Sequence, residues 1–476
     1  MGDYLAVDVG ASSGRVMLGR LVDGGKIELW EVHRFSNGFV RQDGVCCWEI
    51  DSLIDEILTA LVKVKQMGVL SCTLGIATWA VDYVLVDKDG KKIKEAVSYR
   101  DERTQTAAKK VSQIISPELH YAKTGIQFLE FNTIYQLYTE PPDVMKKTRH
   151  ILMIPDYLGF CLTGVAVTEY TNATTTALLD YQTKDFDDEL LKIISVNREQ
   201  FAPFAEAGRV LGDILPKFHN SHDLPKCTVI VAATHDTASA VVGTPGFGDD
   251  WAFLSSGTWS LLGVELDKAI VNDRARKANY SNEGGICGTY RFLKNIMGMW
   301  LIQEIRRLLN ADLLDLLKQA EQAVPFRSLI NPTDSALLNP QNMIETIQNA
   351  TIKGMEKPTT SGELVRCVLD SLAILYALTM DELETITEKT MNRLIIIGGG
   401  SQNDLLNQLT ADMLGKTVAA GPPEATALGN IAVQMMAREG HTLAFVRKLI
   451  ENSFENRIFA PKSDYRTIER YKTLWT

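Results

Sequence analysis

A strand, a turn of small residues and a second strand occur twice in this chain, once at its start and once near its middle. The first copy reads YLAVDVG, ASSG and RVMLGRL, and the second is WAFLSSGTWSLLGVEL. The two Ser-Ser-Gly turns begin at Ser12 and at Ser255, 243 positions apart. Because the flanking strands match as well as the turns, the pattern indicates a duplicated α/β unit that begins with an antiparallel hairpin.

The length of the chain also favours two domains. At 476 residues it exceeds what one ordinary hydrophobic core holds. The stretch VVGTPGFGDDW is rich in glycine, contains a Pro-Gly pair and lies just before the second hairpin, which is typical of a boundary. We therefore predict an N-terminal domain over residues 1–243 and a C-terminal domain over residues 244–476.

Charge and cysteine content argue against several classes of protein. The formal net charge of −10, without a basic cluster, argues against a nucleic-acid partner. No apolar run approaches the ~18 residues that span a membrane, and the acidic start of the chain does not resemble a signal peptide. The seven cysteines include no Cys-x-x-Cys pair and fit a reducing compartment. We expect a cytoplasmic protein without a nucleic-acid or membrane partner.

The stretch CTVIVAATHDTASAVVGTP ends an apolar strand on an imidazole and a carboxylate, His235 and Asp236. Burying an unpaired carboxylate costs several kcal/mol, so we expect Asp236 to lie at the mouth of the strand and to face a cleft. The alternative is structural, because Asp236 could cap a helix that begins near Thr237.

Three loops of small residues favour the binding of phosphate. They are the two hairpin turns and the loop GGGSQN that follows the strand RLIII. Such turns present N–H groups to anions, and a helix N-terminus adds partial positive charge. The known nucleotide motifs fail, since Thr410 replaces the first glycine of a P-loop and Asn403 the last glycine of a dinucleotide fingerprint. Neither a Walker-type ATPase nor a Rossmann dehydrogenase is supported.

Asp8 stands at the end of the first strand, beside the first turn. We expect it to hold a metal ion, directly or through water, and the alternative is an aspartate that stabilises the turn. Two phosphate hairpins and Asp236 would suit transfer of a γ-phosphoryl group to an alcohol. That reaction needs charge neutralisation, alignment and one carboxylate as general base.

The motifs of this chain resemble those of the FGGY carbohydrate kinases, which belong to the actin-, hexokinase- and chaperone-type ATPase superfamily. The resemblance runs nearly end to end and rests on AVDVGASSGRVMLGR, ATWAVDYVL, YRDERT, GIQFLEFNTIYQL, EYTNATTTAL, HDTASAVV, LSSGTWSLLG, NEGG, LKNIMGMWLIQE, GGGSQNDLLNQLTADML and GPPEATALGNIAVQ. It implies an α/β fold of two ribonuclease-H-like (actin-like ATPase) domains. Each domain would be a mixed β-sheet flanked by helices, with the active-site cleft between them.

The resemblance also implies an activity, namely phosphorylation of L-rhamnulose at its 1-hydroxyl with ATP and Mg²⁺, in L-rhamnose catabolism. The alternatives are another ketose, such as L-fuculose or L-xylulose, or an actin-like ATP-binding switch that transfers no phosphate. The partners implied are the sugar and ATP, and the oligomeric state, monomer or dimer, stays open.

Carried over motif by motif, the resemblance implies which residues bind each ligand. Those implied for ATP are Ala11, Ser12, Ser13, Gly14 and Arg15 in the first hairpin, Thr258 in the second, Gln303 and Gly399, with Asp8 at the Mg²⁺ ion. Those implied for the sugar are Ala80, His235, Asp236, Thr237 and Asn295, with Asp236 as the catalytic base.

One position departs from the pattern of the family members that act on L-rhamnulose. They usually read Thr-Trp-Gly-Val-Asp, where this chain has Thr78-Trp79-Ala80-Val81-Asp82. The resemblance implies that the glycine contacts the sugar through its backbone, and an alanine keeps this contact if its φ is negative. Arg100 and Arg103, interpreted as surface ion pairs, and the threonine-rich segment 171–176, interpreted as a loop ordered by its hydroxyls, receive no site role.

Overall fold

The computed structural model describes residues 2–338 and 340–462. Its strands are β1 (Asp3–Val9), β2 (Ser13–Val22), β3 (Lys26–Ser36), β4 (Phe39–Gln42), β5 (Val45–Trp48), β6 (Ser71–Thr78), β7 (Tyr83–Val86), β8 (Ala96–Val97), β9 (His150–Met153), β10 (Thr168–Glu169), β11 (Leu179–Asp180), β12 (Asp185–Phe186), β13 (Phe204–Ala205), β14 (Val210–Asp213), β15 (Lys226–Ile230), β16 (Trp251–Ser256), β17 (Trp259–Leu266), β18 (Ser281–Gly284), β19 (Tyr290–Met297), β20 (Arg393–Ile397), β21 (Thr417–Ala420) and β22 (Arg457–Phe459).

The α-helices are α1 (Ile50–Gln66), α2 (Thr104–Ile114), α3 (Pro117–Thr124), α4 (Thr133–Tyr138), α5 (Pro142–Lys147), α6 (Ile154–Thr163), α7 (Tyr170–Ala173), α8 (Asp188–Ile193), α9 (Pro216–Ser221), α10 (Asp236–Val242), α11 (Asp273–Lys277), α12 (Trp300–Leu309), α13 (Leu313–Gln322), α14 (Met343–Ala350), α15 (Ser361–Thr387), α16 (Asp404–Leu414), α17 (Ala425–Glu439) and α18 (Leu443–Ser453). None of the helices in the described ranges is long and apolar enough to cross a membrane.

The chain forms two compact units that are interleaved in sequence. Unit 1 comprises the described residues up to Pro245, Glu265–Phe292 and Ala425–Ser453. Unit 2 comprises Gly246–Val264, the described residues between Leu293 and Glu424, and those from Phe454 onward. These units are defined by packing alone. The predicted domains, 1–243 and 244–476, are defined by a duplicated pattern and by their roles, and they stay a prediction.

The main sheet of unit 1 has the order β14-β15-β6-β1-β2-β3. β1 is antiparallel to β2 and parallel to β6, and β6 is parallel to β15. The side chains of a strand alternate between the two faces of a sheet. Leu74 and Ile76 of β6 accordingly join the core cluster that contains α1, whereas a Cβ at Gly75 between them would meet Asn430 of α17. Helices therefore cover both faces of this sheet.

The apolar spacing of Leu53, Ile57 and Leu61 predicts a helix with Asp51 as its N-cap, but α1 begins two residues earlier than this pattern suggests. Its N-cap is Glu49, whose side chain makes no capping bond, and Asp51 is the acidic residue of the first turn. The expected cap at Asp51 is therefore wrong, but a carboxylate in the first turn still complements the helix dipole. Leu53, Ile57 and Leu61 form the apolar face and are buried, as their spacing predicts.

The second sheet has the order β18-β19-β17-β16-β20-β21-β22. Within unit 2, β16 pairs antiparallel with β17 and parallel with β20, and β20 pairs parallel with β21. The apolar periodicity of GELVRCVLDSLAILYALTMDELETI predicts one long helix, which is confirmed as α15, and a capping box of Thr360 and Glu363 sets its start. The stretch RLIIIGGGSQNDLLNQLTADML predicts a strand, a glycine loop and an amphipathic helix, and this order is confirmed as β20, a 3₁₀ turn (Gly399–Gln402) and α16.

The duplicated hairpin is present, but in a register different from that of the two Ser-Ser-Gly turns. In the first hairpin Val9 pairs with Gly14, and Gly10 is the first residue of the turn. In the second, Ser256 pairs with Ser260, and Gly257 is the first residue of the turn. Gly10 therefore corresponds to Gly257, because each directly follows its strand. Ser255 and Ser256 end strand β16, whereas Ser12 precedes strand β2 and Ser13 begins it, so the two Ser-Ser pairs do not occupy equivalent positions.

Helices α10 and α17 approach each other backbone to backbone in unit 1. A Cβ at Gly429 of α17 would overlap the carbonyl oxygen of Ser239, and a Cβ at Gly243 would overlap that of Ala425. Only glycine permits this approach. The contact matters for the candidate site because α10 begins at Asp236.

We expect Gly429→Ala to reduce the free energy of unfolding by about 1–3 kcal/mol, because the added methyl group must separate two packed backbones. Urea-induced unfolding of the full chain measures this change. Gly38→Ala is the matched control, since a Cβ at Gly38 meets open space. Equal stability of both variants would contradict the close packing of α10 on α17.

Candidate active site

The carboxyl ends of β1, β6 and β15 lie at one edge of the main sheet of unit 1, because the three strands are parallel neighbours. The register continues beyond the strands, since the N–H of Thr78 donates to the carbonyl of Thr234 (2.9 Å). The turn after β1, residue Ala80 after β6 and residues His235 and Asp236 after β15 are therefore brought together. In open α/β sheets this edge is where ligands bind.

Asp8 and Arg15 form an ion pair beside the first hairpin turn. The Nε and Nη2 atoms of Arg15 donate to Oδ2 of Asp8 at 3.0 and 2.9 Å. Burial raises the pKa of Asp8, the cation of Arg15 opposes this, and the charge of Asp236 raises it further. Asp8 and Asp236 are thus close enough to repel each other, which is an arrangement that a cation would relieve.

The first hairpin turn is exposed at its tip and braced at its base. Ser12 and Ser13 are exposed, Ala11 is half-buried and Gly14 is buried. The Asn37 side chain donates to the carbonyl of Gly10 (2.7 Å) and its backbone N–H to that of Ser12 (3.2 Å). A braced turn with an exposed tip is suited to holding an anion.

Asp236 is the first residue of α10, and His235 is its N-cap. The carboxylate does not cap the helix as the alternative interpretation expected. Instead its Oδ1 atom accepts hydrogen bonds from the N–H (2.5 Å) and the hydroxyl (3.1 Å) of Thr237, and it lies 3.4 Å from Nε2 of His235. The Asp236 side chain is 32% exposed, whereas that of His235 is only 9% exposed. Asp236 is therefore the accessible group of the pair.

A buried ion pair stands behind His235. Arg291 on β19 lies 3.1 Å from Glu283 on β18, and both of its terminal nitrogens lie 3.2 Å from Nδ1 of His235. Burial alone would raise the pKa of Glu283, but Arg291 and then His235 together lower it. Sequence motifs alone indicate no role for Glu283 and Arg291. The sequence does contain one indication of this pair, because Arg291 is a charged residue within the apolar strand pattern GTYRFLKN.

Glu169 fixes the loop that carries His235. Its fully buried carboxylate accepts the N–H and hydroxyl of Thr171 (2.9 and 2.7 Å) and the N–H and hydroxyl of Thr234 (3.2 and 2.7 Å). The hydroxyls of the next threonines, Thr174 to Thr176, donate to carbonyls three residues earlier. The threonine-rich segment is therefore ordered by its hydroxyls, as expected. Sequence reasoning missed Glu169, although it heads this motif.

The backbone strain of the turn after β6 lies at Val81. Val81 has φ of +66°, in the left-handed region that a β-branched residue rarely adopts, whereas Ala80 is not among the described residues with positive φ. Hydrogen bonds to the Val81 carbonyl hold this conformation, from the Thr133 hydroxyl (2.6 Å) and the Gln136 amide (3.3 Å). The condition under which alanine keeps the backbone of this turn is therefore met.

Asp82 is a completely buried carboxylate held by four donors. Trp48 Nε1, Trp79 Nε1 and the N–H of Tyr99 donate to Oδ2, and Gln136 donates to Oδ1. Burial raises the pKa of Asp82 to about 6, although these hydrogen bonds oppose the rise. Trp79 is accordingly a buried partner of Asp82.

Arg103 is largely buried, so its interpretation as a surface residue was wrong. It donates to the fully buried Glu140 (2.9 Å) and to Gln136 (3.0 Å), which also holds Asp82. Burial alone would lower the pKa of Arg103, but the charges of Tyr83 and Glu140 raise it. Arg100 packs against the ring of Tyr99 at 5.4 Å. Arg103 therefore supports the structure around Asp82.

In unit 2, the second hairpin turn is braced by the chain that leads into α12. Met299 N–H donates to the carbonyl of Gly257 (2.9 Å) and Trp300 N–H to that of Thr258 (3.2 Å). Gln303 is exposed in the first turn of α12, and Asn295 is half-buried on β19. Thr258 and Gln303 thus stand on linked elements of one unit.

The triple glycine of unit 2 has a different constraint at each position. Gly398 has φ of +80°, and a Cβ there would lie 2.9 Å from the carbonyl oxygen of Ser256. A Cβ at Gly400 would overlap the Ser256 hydroxyl, whereas a Cβ at Gly399 meets nothing within 4 Å. Gly398 and Gly400 are therefore required by packing on β16. The exposed Gly399 leaves its backbone open to a ligand.

Two family models match almost the whole chain. The N-terminal domain model of the FGGY family of carbohydrate kinases matches residues 3–243, and the C-terminal domain model matches residues 252–438. The chain therefore belongs to the FGGY family of carbohydrate kinases, and it is a phosphotransferase.

Curated relatives point to one kind of kinase within this family. The chain is 52% identical to a rhamnulokinase of Bacillus subtilis (strain 168) over 463 residues, which is 96% of this chain and 95% of that protein. It is 48% identical to a rhamnulokinase of Lactiplantibacillus plantarum over 471 residues, 98% of this chain and 96% of that protein.

Solved structures of kinases share the fold. A ligand-bound xylulose kinase from Lactobacillus acidophilus matches with a TM-score of 0.82 at 17% identity, over 100% of this chain and 96% of that one. A Plasmodium falciparum glycerol kinase with ADP matches with a TM-score of 0.80 at 18% identity, over 100% of this chain and 97% of that one. The predicted fold class, a two-domain α/β fold with mixed sheets flanked by helices, is confirmed.

The titration of Asp82 should make the free energy of unfolding depend on pH. Because the folded state binds this proton more tightly than the unfolded chain does, Asp82 lowers stability as the pH rises from about 4 to about 6. Asp82→Asn removes this dependence. The stability of the wild type minus that of the variant should then fall across this window, by at most about 1.4 kcal/mol per pH unit.

Urea-induced unfolding between about pH 4 and pH 8 tests this expectation. Asp89→Asn, at an exposed turn, is the control and should leave the pH profile unchanged. Parallel profiles for the wild type and Asp82→Asn would show that burial does not raise the pKa of Asp82.

Proposed function

We propose that this protein transfers the γ-phosphoryl group of ATP to the 1-hydroxyl of L-rhamnulose, giving L-rhamnulose 1-phosphate and ADP. The observation that carries the proposal is the accessible carboxylate of Asp236 at the carboxyl edge of three parallel strands. The substrate rests on the similarity of nearly the whole chain to rhamnulokinases.

In this proposal Asp236 is the general base. The contacts described for the Asp236 carboxylate all involve its Oδ1 atom. In this proposal these contacts orient the carboxylate so that Oδ2 faces the substrate. Oδ2 accepts the proton of the 1-hydroxyl while the sugar oxygen attacks the γ-phosphorus in line with the departing ADP oxygen. A positioned base of this kind contributes about 10²–10⁴-fold to the rate.

The residues around Asp8 fit a magnesium ion. Asp8 and Asp236 repel each other, and carboxylate oxygens are the ligands that Mg²⁺ prefers. Among the described residues no cluster of three or more acidic, histidine or cysteine side chains forms a metal cage. Asp8 would hold the ion, directly or through water, and when bound it would neutralise charge on the phosphate oxygens.

The nucleotide residues divide between the two units. In unit 1 the exposed tip of the first turn, with Ala11, Ser12, Ser13 and Gly14, would bind phosphate through its backbone N–H groups. Arg15 already pairs with Asp8, so its contribution would be to hold that carboxylate and to add positive charge nearby. In unit 2 we assign Thr258 to phosphate, and Gln303 and Gly399 to the nucleotide.

The sugar would lie against the turn after β6 and the start of α10. Ala80 presents its backbone and a single methyl group, His235 and Thr237 flank the base, and we assign Asn295 to a sugar hydroxyl. Another ketose, such as L-fuculose or L-xylulose, is the second candidate, because Ala80 adds a methyl group where the pattern has glycine. The nucleotide-switch alternative gains no support from a carbohydrate kinase family.

Asp236→Asn should reduce kcat for L-rhamnulose by about 10²–10⁴-fold with the fold intact, because the amide keeps the volume of the side chain but not its basicity. ADP release with MgATP measures this. Asp223→Asn, which changes an exposed aspartate, is the matched control and should keep full activity.

Near-full turnover by Asp236→Asn would refute the role of Asp236 as general base. Faster turnover of L-fuculose or L-xylulose by the wild type would refute the substrate while leaving the base in place. ATP turnover that needs no sugar would support the nucleotide switch instead.

Ala80→Val tests the sugar side of the site alone. Two additional methyl groups should raise KM for the sugar tenfold or more, because one misplaced methylene group is worth about 1–3 kcal/mol in a fitted pocket. KM for ATP should change by less than about twofold and serves as the internal control. An unchanged KM for the sugar would place Ala80 outside the binding site.

A further inference from the structure

We propose that Arg291 is a positioning residue for phosphoryl transfer: it holds His235 in the neutral tautomer that carries its hydrogen on Nε2, on the side of Asp236. The inference rests on the proposed function for its catalytic meaning, but the tautomer itself can be measured without any turnover. No role for Arg291 follows from the sequence motifs or from the family resemblance.

The guanidinium of Arg291 is fixed before it reaches His235. Arg291 is 1% exposed, its Nε donates to the carbonyl of Gly284 (2.9 Å) and its Nη2 to that of Thr171 (3.5 Å). Its Nη1 lies 3.1 Å from Glu283, which balances the charge. Both Nη1 and Nη2 then lie 3.2 Å from Nδ1 of His235. A buried, anchored cation thus faces one particular ring nitrogen.

The chemistry of the two groups decides which nitrogen carries the hydrogen. A guanidinium has five N–H donors and no acceptor. Nδ1 of His235 must therefore be the acceptor, and a neutral imidazole with an accepting Nδ1 carries its hydrogen on Nε2. That nitrogen is the one on the side of Asp236, 3.4 Å from Oδ1.

Glu283 is the competing partner, because its Oε2 atom lies 3.3 Å from Nδ1. If Nδ1 carried the hydrogen, it would have to donate to this oxygen. While Arg291 is present this arrangement is disfavoured, because the hydrogen on Nδ1 would face the N–H donors of Nη1 and Nη2, both 3.2 Å away. The ring therefore accepts from Arg291 and does not donate to Glu283.

This tautomer matters for the base. An N–H on Nε2 presents a donor to the carboxylate of Asp236, 3.4 Å from its Oδ1 atom, and so helps to hold the orientation of the base. With the hydrogen on Nδ1 instead, a lone pair on Nε2 would face the negative Oδ1 atom and repel it. Arg291 touches neither substrate nor base in this scheme and acts only through His235.

The direct test is the ¹⁵N spectrum of the full chain labelled at histidine. The chain has seven histidines, and the signal of His235 is assigned by its loss in His235→Gln. The expected wild-type spectrum shows Nδ1 as the unprotonated nitrogen and Nε2 as the protonated one. A hydrogen on Nδ1, or on both nitrogens, overturns the proposal even if no Arg291 variant folds.

Variants of Arg291 then separate positioning from simple support. Arg291→Met should move the hydrogen to Nδ1, toward Glu283, and should lower kcat by about 10- to 100-fold, the scale of one hydrogen bond to a charged group. KM for ATP should stay within about twofold. Arg291→Lys, which keeps a cationic donor, should retain the tautomer and recover part of kcat.

Arg366→Met is the matched control, because Arg366 is also buried and paired with a carboxylate, Asp370, on α15. It should lose stability without altering the His235 spectrum. An unchanged tautomer and kcat in folded Arg291→Met would refute the role of Arg291. A protein that phosphorylates no ketose but shows the expected tautomer would refute the proposed function and leave the tautomer assignment standing.

Discussion

The candidate site depends on the parallel pairing of β1, β6 and β15. Parallel strands carry their carboxyl ends to one edge, so backbone hydrogen bonds alone bring the chain after Val9, Thr78 and Ile230 together. The bond from Thr78 N–H to the Thr234 carbonyl extends this order past the strands. The backbone pairing of the sheet therefore fixes where the side chains that follow these three strands lie.

Around this edge the chain buries several charges, and each is compensated in a different way. Asp8 has a cation, Arg15, while Glu283 and Arg291 neutralise each other. Asp82 has donors but no cation among them, which leaves its pKa raised. Removing one partner from such a pair is costly, because it leaves an uncompensated charge in a dry environment. This cost favours the paired arrangement of the charged groups around His235 and Asp236.

Sequence patterns predicted the elements that local chemistry governs. The hairpins, the long helix α15 and the strand–glycine–helix order of β20 and α16 followed from periodicity, caps and glycine. The sequence comparison was wrong where identical residues occupy different structural positions, as in the two Ser-Ser-Gly segments. In the structure Gly10 of the first hairpin turn corresponds to Gly257 of the second. Arg103 was misplaced because nothing in YRDERT indicates that Glu140, 37 residues away, would bury it.

By itself the sequence determined the repeated α/β hairpins and the carboxylate that ends a strand at Asp236, because these depend on periodicity and on residues adjacent in the chain. The two-domain fold class followed from the motifs that resemble the family. The tertiary structure decided which groups act on that carboxylate. Glu169 and Arg291 lie 67 and 55 positions away from Asp236 along the chain, and they reach its neighbours only through the fold. Only tertiary structure could decide these contacts, because hydrogen bonds depend on ångström distances that spacing in a sequence does not encode.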